Sequence, residues 1–509
     1  MSGNLFTLTE LVLDEAGPPR YEQLARYIER AILDGRLAPG DKLPTVRRLA
    51  ADLGLSATTI NSAFDMLTER RLIRPEVGRG TFVNERPREA GVDPGLRFPR
   101  SLGGTLGGTG RVPWRRRALM SVGARLRAAY PESTDCSTGR PDPNLLPLRA
   151  IQRAWAAAIE SASARDLQYA GPEAVPALAA RLVSLLETDE VPARQEDLII
   201  GSSAQQFLVL CLQIVAGLWG ADKTIVAVEE PGYPTIFDTF ERAGAKLLGM
   251  AVDESGATPE SLDAALKAGA KAVLFTPRAH NPTGASWSKE RRAALANVLS
   301  DHRDVIAIED DQFAGVCNTR PGSLLSDIRV ESRTIYVRSF SKSIGPDLRI
   351  AVAVARSQLR ELLAEAKSFA DGWTSRLLQR TLAGVLADEE MYADLDRARD
   401  AYRERRENAA DEVNAILAPH GGGTWCGPDG LNLWVHLPPG VDARDAVERA
   451  AAEGVRVAEG EPFYLRPGHS GVVRLNAGSV PVESAVKAAR ALAESALKCG
   501  WRRPGPIHV

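Results

Sequence analysis

The chain has 509 residues, of which 44% are hydrophobic and 25% charged, and its formal net charge is −2. This length predicts two or three domains, and the near-neutral charge excludes a polycation that binds nucleic acid along its whole length. The five cysteines form no CxxC or Cys/His cluster, so the sequence predicts neither a disulfide framework nor a metal site.

The termini and the apolar runs predict a cytoplasmic protein. The first residues, MSGNLFTLTELVLDEAG, are acidic and have no basic region before an apolar core, unlike a signal peptide. No apolar stretch of the sequence is long enough to span a bilayer, and the scattered cysteines suit a reducing compartment. We therefore expect no membrane contact.

Residues 15–84 are predicted to form the first domain. Apolar side chains recur at helical spacing over residues 21–33. Thr45 can cap a short helix that Gly54 ends in a tight turn, and Ser56 can cap the next helix. This is the spacing of a helix-turn-helix, whose second helix is free to enter a DNA major groove.

The rest of this domain adds a buried face and a hairpin. The second helix would bury Ile60, Phe64 and Leu67, and EVGRGTFV predicts a β-hairpin with Arg79 near its tip. Residues 36–84 hold eight Lys/Arg and five Asp/Glu, so 8 − 5 = +3. A plain helical cap with a hairpin would share some of these features, but the caps, the hairpin and the charge together favour DNA binding.

The stretch GRLAPGDKLPTVRRLAADLGLSATTINSAFDMLTERRLI, followed by GRGTFV, resembles the winged helix-turn-helix of the GntR family. The resemblance implies that Thr45 and Arg47, at the start of the domain's second helix, contact the phosphate backbone. It also implies DNA contacts from the recognition helix (Ser56, Thr58, Thr59) and the wing (Arg79, Gly80). This chain has Ala57 where the family often has an arginine that reads a guanine edge.

The remaining sequence divides into a linker and a large domain. Residues 85–132 begin as a Gly/Pro/Arg-rich stretch without apolar periodicity, which predicts a flexible linker. Over residues 133–509, helical segments alternate with short apolar runs, namely DLII (197–200), TIVAVE (224–229), AVLFTP (272–277), VIAIED (305–310) and TIYVRS (334–339). This alternation predicts an α/β fold with a mostly parallel sheet covered by helices on both faces.

Lys342 lies between two serines in SFSKSIGPDLR, on a turn after a predicted strand. A lysine amine whose pKa is lowered can form a Schiff base with a carbonyl compound, and pyridoxal 5′-phosphate (PLP) is the commonest such carbonyl. A PLP site also needs phosphate donors, a carboxylate for the ring nitrogen, a partner for the ring oxygen and an aromatic face.

Each of these requirements has a candidate on a turn after a predicted strand, where α/β sheets bind ligands. The candidate phosphate donors are Ser203, Ala204, Gln205, Ser339, Ser341 and Arg349. Asp310 would bind the ring nitrogen, Asn281 of HNPTG the ring oxygen, and Tyr233 would stack on the ring. Each feature alone is common in solvated turns, whereas their combination favours a cofactor site.

These motifs resemble the fold-type I aminotransferases over residues of about 135–500. The resemblance implies an αβα domain with a small C-terminal subdomain and a Schiff base between PLP and Lys342. It also implies ring contacts by Asp310 and Asn281, and binding of the effector's α-carboxylate by Arg474 in GVVRLNAG. Where the family commonly has a tyrosine that reaches the ring oxygen, this chain has Gln312, which cannot ionise.

A GntR-type domain joined to an aminotransferase-like domain resembles the MocR/GabR group of bacterial regulators. The resemblance implies a homodimeric, PLP-dependent transcription factor that binds double-stranded operator DNA and responds to an amine, an amino acid or PLP itself. One alternative is a PLP-dependent aminotransferase with an accessory N-terminal domain, because the residues for a half-reaction are present. Another is a PLP-binding storage or sensor protein that does not bind DNA.

Overall fold

The computed structural model of the protein describes residues 18–33, 37, 40–69, 72–76, 79–84 and 114–499. These residues fall into two compact units divided near residue 99. No helix of the described residues is both long and apolar enough to cross a membrane.

The described residues of the N-terminal unit form three helices followed by a β-hairpin. Its elements are α1 (Arg20–Leu33), α2 (Val46–Leu53), α3 (Ala57–Glu69), β1 (Ile73–Glu76) and β2 (Gly80–Val83). The Thr45 hydroxyl accepts a hydrogen bond from the Arg48 amide at 3.3 Å, and the Ser56 hydroxyl accepts one from the Thr59 amide at 3.1 Å. Gly54 ends α2 with a φ of 62°. The predicted caps and turn are therefore confirmed.

The core of this unit and its hairpin also follow the sequence pattern. Ile60, Phe64 and Leu67 of α3 are buried, and β1 pairs with β2 in antiparallel register. Gly80, at the start of β2, has a φ of 120°, and a Cβ there would lie 2.6 Å from the Lys42 side chain. The positive φ therefore favours a glycine at this position, whereas the flexible Lys42 side chain can move away from a Cβ.

The large unit contains twelve helices and fourteen strands within residues 114–499. The helices are α4 (Trp114–Ala129), α5 (Leu148–Glu160), α6 (Pro176–Thr188), α7 (Ala204–Trp219), α8 (Pro234–Arg242), α9 (Pro259–Lys267), α10 (Lys289–Ser300), α11 (Ser357–Ala370), α12 (Arg376–Val385), α13 (Glu389–Leu417), α14 (Ala443–Ala452) and α15 (Val482–Lys498). The strands are β3 (Thr134–Asp135), β4 (Leu198–Gly201), β5 (Ile225–Glu230), β6 (Lys246–Asp253), β7 (Gly256–Ala257), β8 (Ala272–Phe275), β9 (Ile306–Asp311), β10 (Thr334–Ser339), β11 (Ala351–Val354), β12 (Gly423–Trp425), β13 (Asn432–His436), β14 (Val455–Arg456), β15 (Ala458–Glu459) and β16 (Val472–Asn476).

The central sheet has eight strands in the order β4-β11-β10-β9-β8-β5-β6-β7. The pairs from β10 through β9, β8 and β5 to β6 are parallel, whereas β11 runs antiparallel to both β4 and β10. The five predicted strands correspond to β4, β5, β8, β9 and β10. A four-stranded sheet, β12-β13-β16-β15, forms the smaller C-terminal subdomain. The predicted fold class is confirmed.

Helices cover both faces of the central sheet. Along β11, Val352 and Val354 pack into one hydrophobic cluster, while Ala351 and Ala353 pack into another. Successive strand residues point to opposite faces, so each face of the sheet has its own buried layer. The continuous apolar character of the predicted strands follows from this burial on both sides.

The prediction of a flexible linker over residues 85–132 is wrong for its final part. Residues 114–129 form α4, and Arg115 of this helix is fully buried. Its guanidinium donates to Asp238 Oδ1 at 3.1 Å, to Glu241 Oε2 at 2.7 Å and to the Tyr464 carbonyl at 2.9 Å. No local pattern marks Arg115 as an anchor, because it is a charged residue whose partners lie far along the chain. Residues 85–113 lie outside the described residues.

Replacing Arg115 with alanine should destabilise the large unit. The change would remove the charge that pairs with the buried Asp238, although the Arg116 amide would still donate to Asp238 Oδ2. Removing one partner of a buried ion pair typically costs about 3–5 kcal/mol. Urea unfolding followed by tryptophan fluorescence would measure this loss, because all eight tryptophans lie at or beyond residue 114. Arg117→Ala, at an exposed position of the same helix, is the control. Equal losses in the two variants would contradict the assignment.

Candidate functional site

The carboxyl ends of the parallel strands bring the predicted turns to one edge of the central sheet. Gly201, Ala351 and Ser339 lie side by side in the registers of β4, β11 and β10. Because adjacent strands lie about 4.8 Å apart, the turns after Gly201 and Ser339 begin about 10 Å from each other. On the other side of β10, Asp310 pairs with Val337.

A cavity of about 300 Å³ lies at this edge, and we call it the front cavity. Its walls include Tyr233, Asn281, Gln312, Lys342 and Arg474. A smaller space of about 20 Å³ shares the first three of these residues and is also lined by Asp310. The structure therefore brings together six of the residues that the sequence predicted for one site.

Lys342 is the amine of the front cavity. Its Nζ donates a hydrogen bond to the Gly139 carbonyl at 2.5 Å and lies 6.0 Å from the centre of the Phe313 ring. Burial lowers the pKa of Lys342 to about 8, and the positive charges of Arg474 and Arg140 contribute to this shift. A substantial neutral fraction near physiological pH makes this amine a nucleophile.

Three consecutive acids end β9, and all three are buried rather than solvated. Glu309 accepts a hydrogen bond from the Leu324 amide at 2.8 Å, and Asp311 accepts one from the Tyr336 hydroxyl at 2.6 Å. These two carboxylates therefore have structural partners, and Asp311 also forms an ion pair with Arg278 at 2.9 Å, although its Oδ1 has no hydrogen-bond partner among the described residues. Asp310, between them, points to the opposite face of the strand.

Asp310 has one oxygen without a partner. Its Oδ2 accepts a hydrogen bond from the Gln312 amide at 2.6 Å, whereas its buried Oδ1 has no hydrogen-bond partner in the described part of the chain. Burial raises the pKa of Asp310 to about 7, with a further increase from the charge of Asp311. A buried acceptor of this kind requires a donor. Gln312 thus contacts the acid that the sequence predicts as the partner of the ring nitrogen.

Arg474 occupies the other side of the front cavity, on β16. Its guanidinium donates to Asn281 Oδ1 at 3.1 Å and to the Ser137 carbonyl at 2.6 Å, and lies 4.8 Å from the centre of the Phe463 ring. Its buried Nε has no hydrogen-bond partner within residues 114–499 or the described N-terminal ranges. Burial lowers the pKa of Arg474 to about 10, so the group stays charged at neutral pH.

The predicted phosphate donors lie near the sheet edge, but they do not line the front cavity. Ser203 caps α7, and the amides of Ala204 and Gln205 fall in its first turn, where helical N–H groups lack intrahelical partners. Ser339 Oγ accepts from the Ser341 amide at 3.2 Å. The Gln205 side chain donates to Thr239, and Arg349 is exposed. The phosphate contacts of this set remain a prediction.

Two parts of the cavity wall were missed by the sequence reasoning. Gly139 and its neighbours in STGRPDP supply one wall, and α4 supplies another through Leu119 and Met120. The Gly/Pro turn after β3 was a usable signal for the first. The signal for α4 is weak, because the helical spacing of Leu119, Val122 and Leu126 is interrupted by arginines and follows a Gly/Pro-rich stretch.

The N-terminal unit exposes most of the residues that the resemblance assigned to DNA. Thr45, Arg47, Ser56 and Thr58 are exposed, and Thr59 and Gly80 are partly buried. The Arg79 side chain is 75% exposed and donates to Glu76 at 2.7 Å, which holds it at the tip of the hairpin. Lys42, which lies 5.7 Å from the centre of the Phe82 ring, adds a cation that the sequence reasoning did not select.

Comparison with known proteins identifies both units. Residues 142–492 match the family "Aminotransferase class I and II", and residues 20–83 match "Bacterial regulatory proteins, gntR family". The large unit is similar to the structure of LysN, an α-aminoadipate aminotransferase from Thermus thermophilus complexed with N-(5′-phosphopyridoxyl)-L-leucine. The TM-score is 0.65 with 25% identity, covering 76% of this chain and 95% of the other.

Curated relatives share both units. The vitamin B6 salvage pathway transcriptional repressor PtsJ of Salmonella typhimurium is 29% identical over 87% of this chain and 91% of its own length. The HTH-type transcriptional regulator TauR of Rhodobacter capsulatus is 28% identical over 87% of this chain and 89% of its own. The chain belongs to the class I and II aminotransferase family, a family of PLP-dependent proteins, and with its GntR-type N-terminal domain it is a transcriptional regulator of the MocR/GabR type.

Proposed function

We propose that this protein regulates transcription by binding operator DNA through its N-terminal unit and sensing an amine, an amino acid or PLP in the front cavity, with Lys342 as the attachment point. The observation that carries the proposal is Asp310 Oδ1, a buried acceptor without a hydrogen-bond partner among the described residues. It lines the small space that shares residues with the front cavity of Lys342. The same chain also contains a winged helix-turn-helix. Action on DNA would place the protein in the cytoplasm.

The residues present fit PLP. Asp310 Oδ1 is a buried acceptor that would hold the proton at the ring nitrogen, and Lys342 offers an amine with a lowered pKa. Asn281 and Tyr233 line the same cavity and would contact the ring oxygen and the ring face. Bound PLP supplies an aldehyde that condenses with amines and a ring that withdraws electrons.

Arg474 would select effectors that carry a carboxylate. Its charge is retained at neutral pH, and its unpartnered Nε offers a further donor beyond those used by Asn281 and Ser137. A guanidinium with free N–H groups binds a carboxylate in two-point geometry. An effector held there would also lie against α4, because Leu119 and Met120 form part of the same wall.

A homodimer is part of the proposal, and the exposed apolar surface of α5 supports it. Leu148, Trp155 and Ile159 recur at helical spacing on this helix and are 59%, 43% and 51% exposed. Exposed apolar residues aligned on one helix face commonly mark an interface. A pair of identical subunits would also present two DNA-binding units to two half-sites of an operator.

An aminotransferase activity is the second candidate, and one observation favours it. Lys342, Asp310, Asn281 and Arg474 are all present at one site, which is the set that a half-reaction needs. Sustained turnover of an amino acid with 2-oxoglutarate, in the absence of specific DNA binding, would favour this enzyme over a regulator.

The regulator proposal is tested by titrating labelled DNA from upstream of the protein's own coding region with purified protein. We expect specific binding that changes when PLP or an amine is added, together with a visible absorption band from the lysine-bound cofactor. Lys342→Ala should lose both the band and the response to ligand. DNA affinity that is identical with and without every ligand tested would contradict sensing.

Arg47→Ala should weaken binding to all DNA sequences alike. A contact to a backbone phosphate contributes through counterion release, so the slope of log K against log salt should fall in magnitude by about one. Fluorescence anisotropy at several salt concentrations measures both effects. Arg26→Ala, which removes an exposed arginine from α1, is the matched control. An unchanged slope in Arg47→Ala would show that this residue does not contact DNA.

Arg474→Gln should raise the pKa of Lys342. Only the neutral amine attacks an aldehyde, so the rate of PLP uptake by the apo-protein should increase with pH through a midpoint of about 8. Removing the charge of Arg474, the larger of the two charge effects on Lys342, should move this midpoint upward, and Arg140→Gln should move it less. Stopped-flow absorbance across a pH series gives the midpoint. A midpoint unmoved by Arg474→Gln would contradict this electrostatic coupling.

A further inference from the structure

A second cavity, of about 240 Å³, lies beside the loop that carries Lys342. It is bounded by the end of α6, the loop after β9, the loop after β10 and the start of α13. Ser343 of the lysine loop lines it, whereas Lys342 itself lines the front cavity. The two cavities share no lining residue. A volume of this size far exceeds the space that one water molecule needs, which is about 30 Å³.

Cationic side chains outnumber anionic ones around this second cavity. Among the described residues that line it, Arg320, Arg338 and Arg399 are cationic and Asp189 is the one carboxylate. Asp189 is already shared, because it pairs with both Arg338 and Arg278. Its one negative charge therefore cannot balance the arginines of the wall.

The two outer arginines are not neutralised within the cavity. Arg320 is exposed and forms no ion pair with any described residue. Arg399 donates to the Gly315 carbonyl at 2.9 Å and pairs with Asp396, which does not line the cavity. Burial and the nearby charge of Arg320 lower the pKa of Arg399. An anion between these two guanidinium groups would relieve their repulsion.

The inner arginine, Arg338, has a donor without an acceptor. The residue is 2% exposed, and its Nε has no hydrogen-bond partner among the residues that the structure describes. An unsatisfied N–H on a buried cation is costly, and charged donors bind anionic oxygens most strongly. The buried hydroxyl of Ser343 lies in the same wall as a further donor.

Other polar groups near the cavity have partners. The Tyr392 hydroxyl donates to the Leu386 carbonyl at 3.1 Å, and the Asn318 amide donates to Asp429 at 2.7 Å. Burial keeps the Cys317 thiol neutral by raising its pKa. Recognition in this cavity would therefore depend on the three guanidinium groups and not on backbone amides.

We propose that the second cavity is a binding site for a small dianion of the phosphate class, held by Arg320, Arg338 and Arg399 beside the loop that carries Lys342. This site is separate from the predicted phosphate donors of the cofactor, since none of them lines it. Phe340, Ser343 and Ile344 form one of its walls, so an anion there contacts the same loop that positions the cofactor lysine.

The test uses the full chain saturated with PLP, so that the cofactor's own phosphate site is filled, and inorganic phosphate as the probe. Isothermal titration at constant ionic strength, with chloride as the balancing anion, gives the affinity. We expect saturable binding that weakens roughly ten-fold in Arg399→Gln and in Arg320→Gln, as expected for loss of one charge-assisted contact. Arg397→Gln, an exposed arginine on α13 outside this cavity, should leave the affinity unchanged.

Two outcomes would overturn the proposal. One is the absence of saturable phosphate binding by the wild-type chain. The other is equal affinity in the wild type, Arg320→Gln and Arg399→Gln, which would assign any binding to another surface. Because neither arginine lines the front cavity, the dependence on these residues is independent of whether PLP acts as a cofactor.

Discussion

Parallel pairing of β9 with β10 determines which face of the central sheet each charged group reaches. Asp311 pairs with Arg338, and these two side chains lie on the face that also carries Tyr336. Asp310 pairs with Val337 on the opposite face. A shift of one residue in this register would exchange the two acids. The register of these two buried strands therefore determines which carboxylate is available to a cofactor and which carboxylate supports the structure.

The buried arginines of the large unit differ in how completely their donors are satisfied. Arg115 is fully matched, with acceptors at Nε, Nη1 and Nη2 from carboxylates and carbonyls. Arg474 and Arg338 each retain an Nε without a partner among the described residues, and each faces a cavity. A buried guanidinium is costly unless it is paired, so incomplete matching next to an open volume indicates ligand binding. Complete matching indicates support of the fold.

The fold, and the grouping of six residues at the candidate site, could be predicted because their signals are local in sequence. Buried parallel strands appear as short apolar runs, and a site at the carboxyl edge draws its residues from the turns that follow them. Asp310, Lys342 and Asn281 all follow this rule. The helix caps at Thr45 and Ser56 are equally local, because a cap needs only its own first turn.

The features that could not be predicted depend on partners distant in sequence. In the sequence, Arg115 is one of three consecutive arginines in a polar segment. It anchors α4 because it binds Asp238 and Glu241, which lie more than 120 residues away. The second cavity combines residues from four separate segments, of which the lysine loop is the one that carries a motif. Arg349, which is close to Lys342 in sequence, is exposed and lines neither cavity, so its phosphate contact stays a prediction.

The position of α4 gives the proposed sensing a physical basis. A ligand changes the affinity for DNA only if it binds two states of the protein with different free energies. One end of α4 is held by Arg115, while Leu119 and Met120 face the front cavity, so a ligand there contacts this helix. Its binding free energy must then depend on how α4 packs. In the chain, α4 is the first described element after the DNA-binding unit. If DNA binding changes how α4 packs, the affinity for the ligand must change as well, because the coupling between two binding sites is reciprocal.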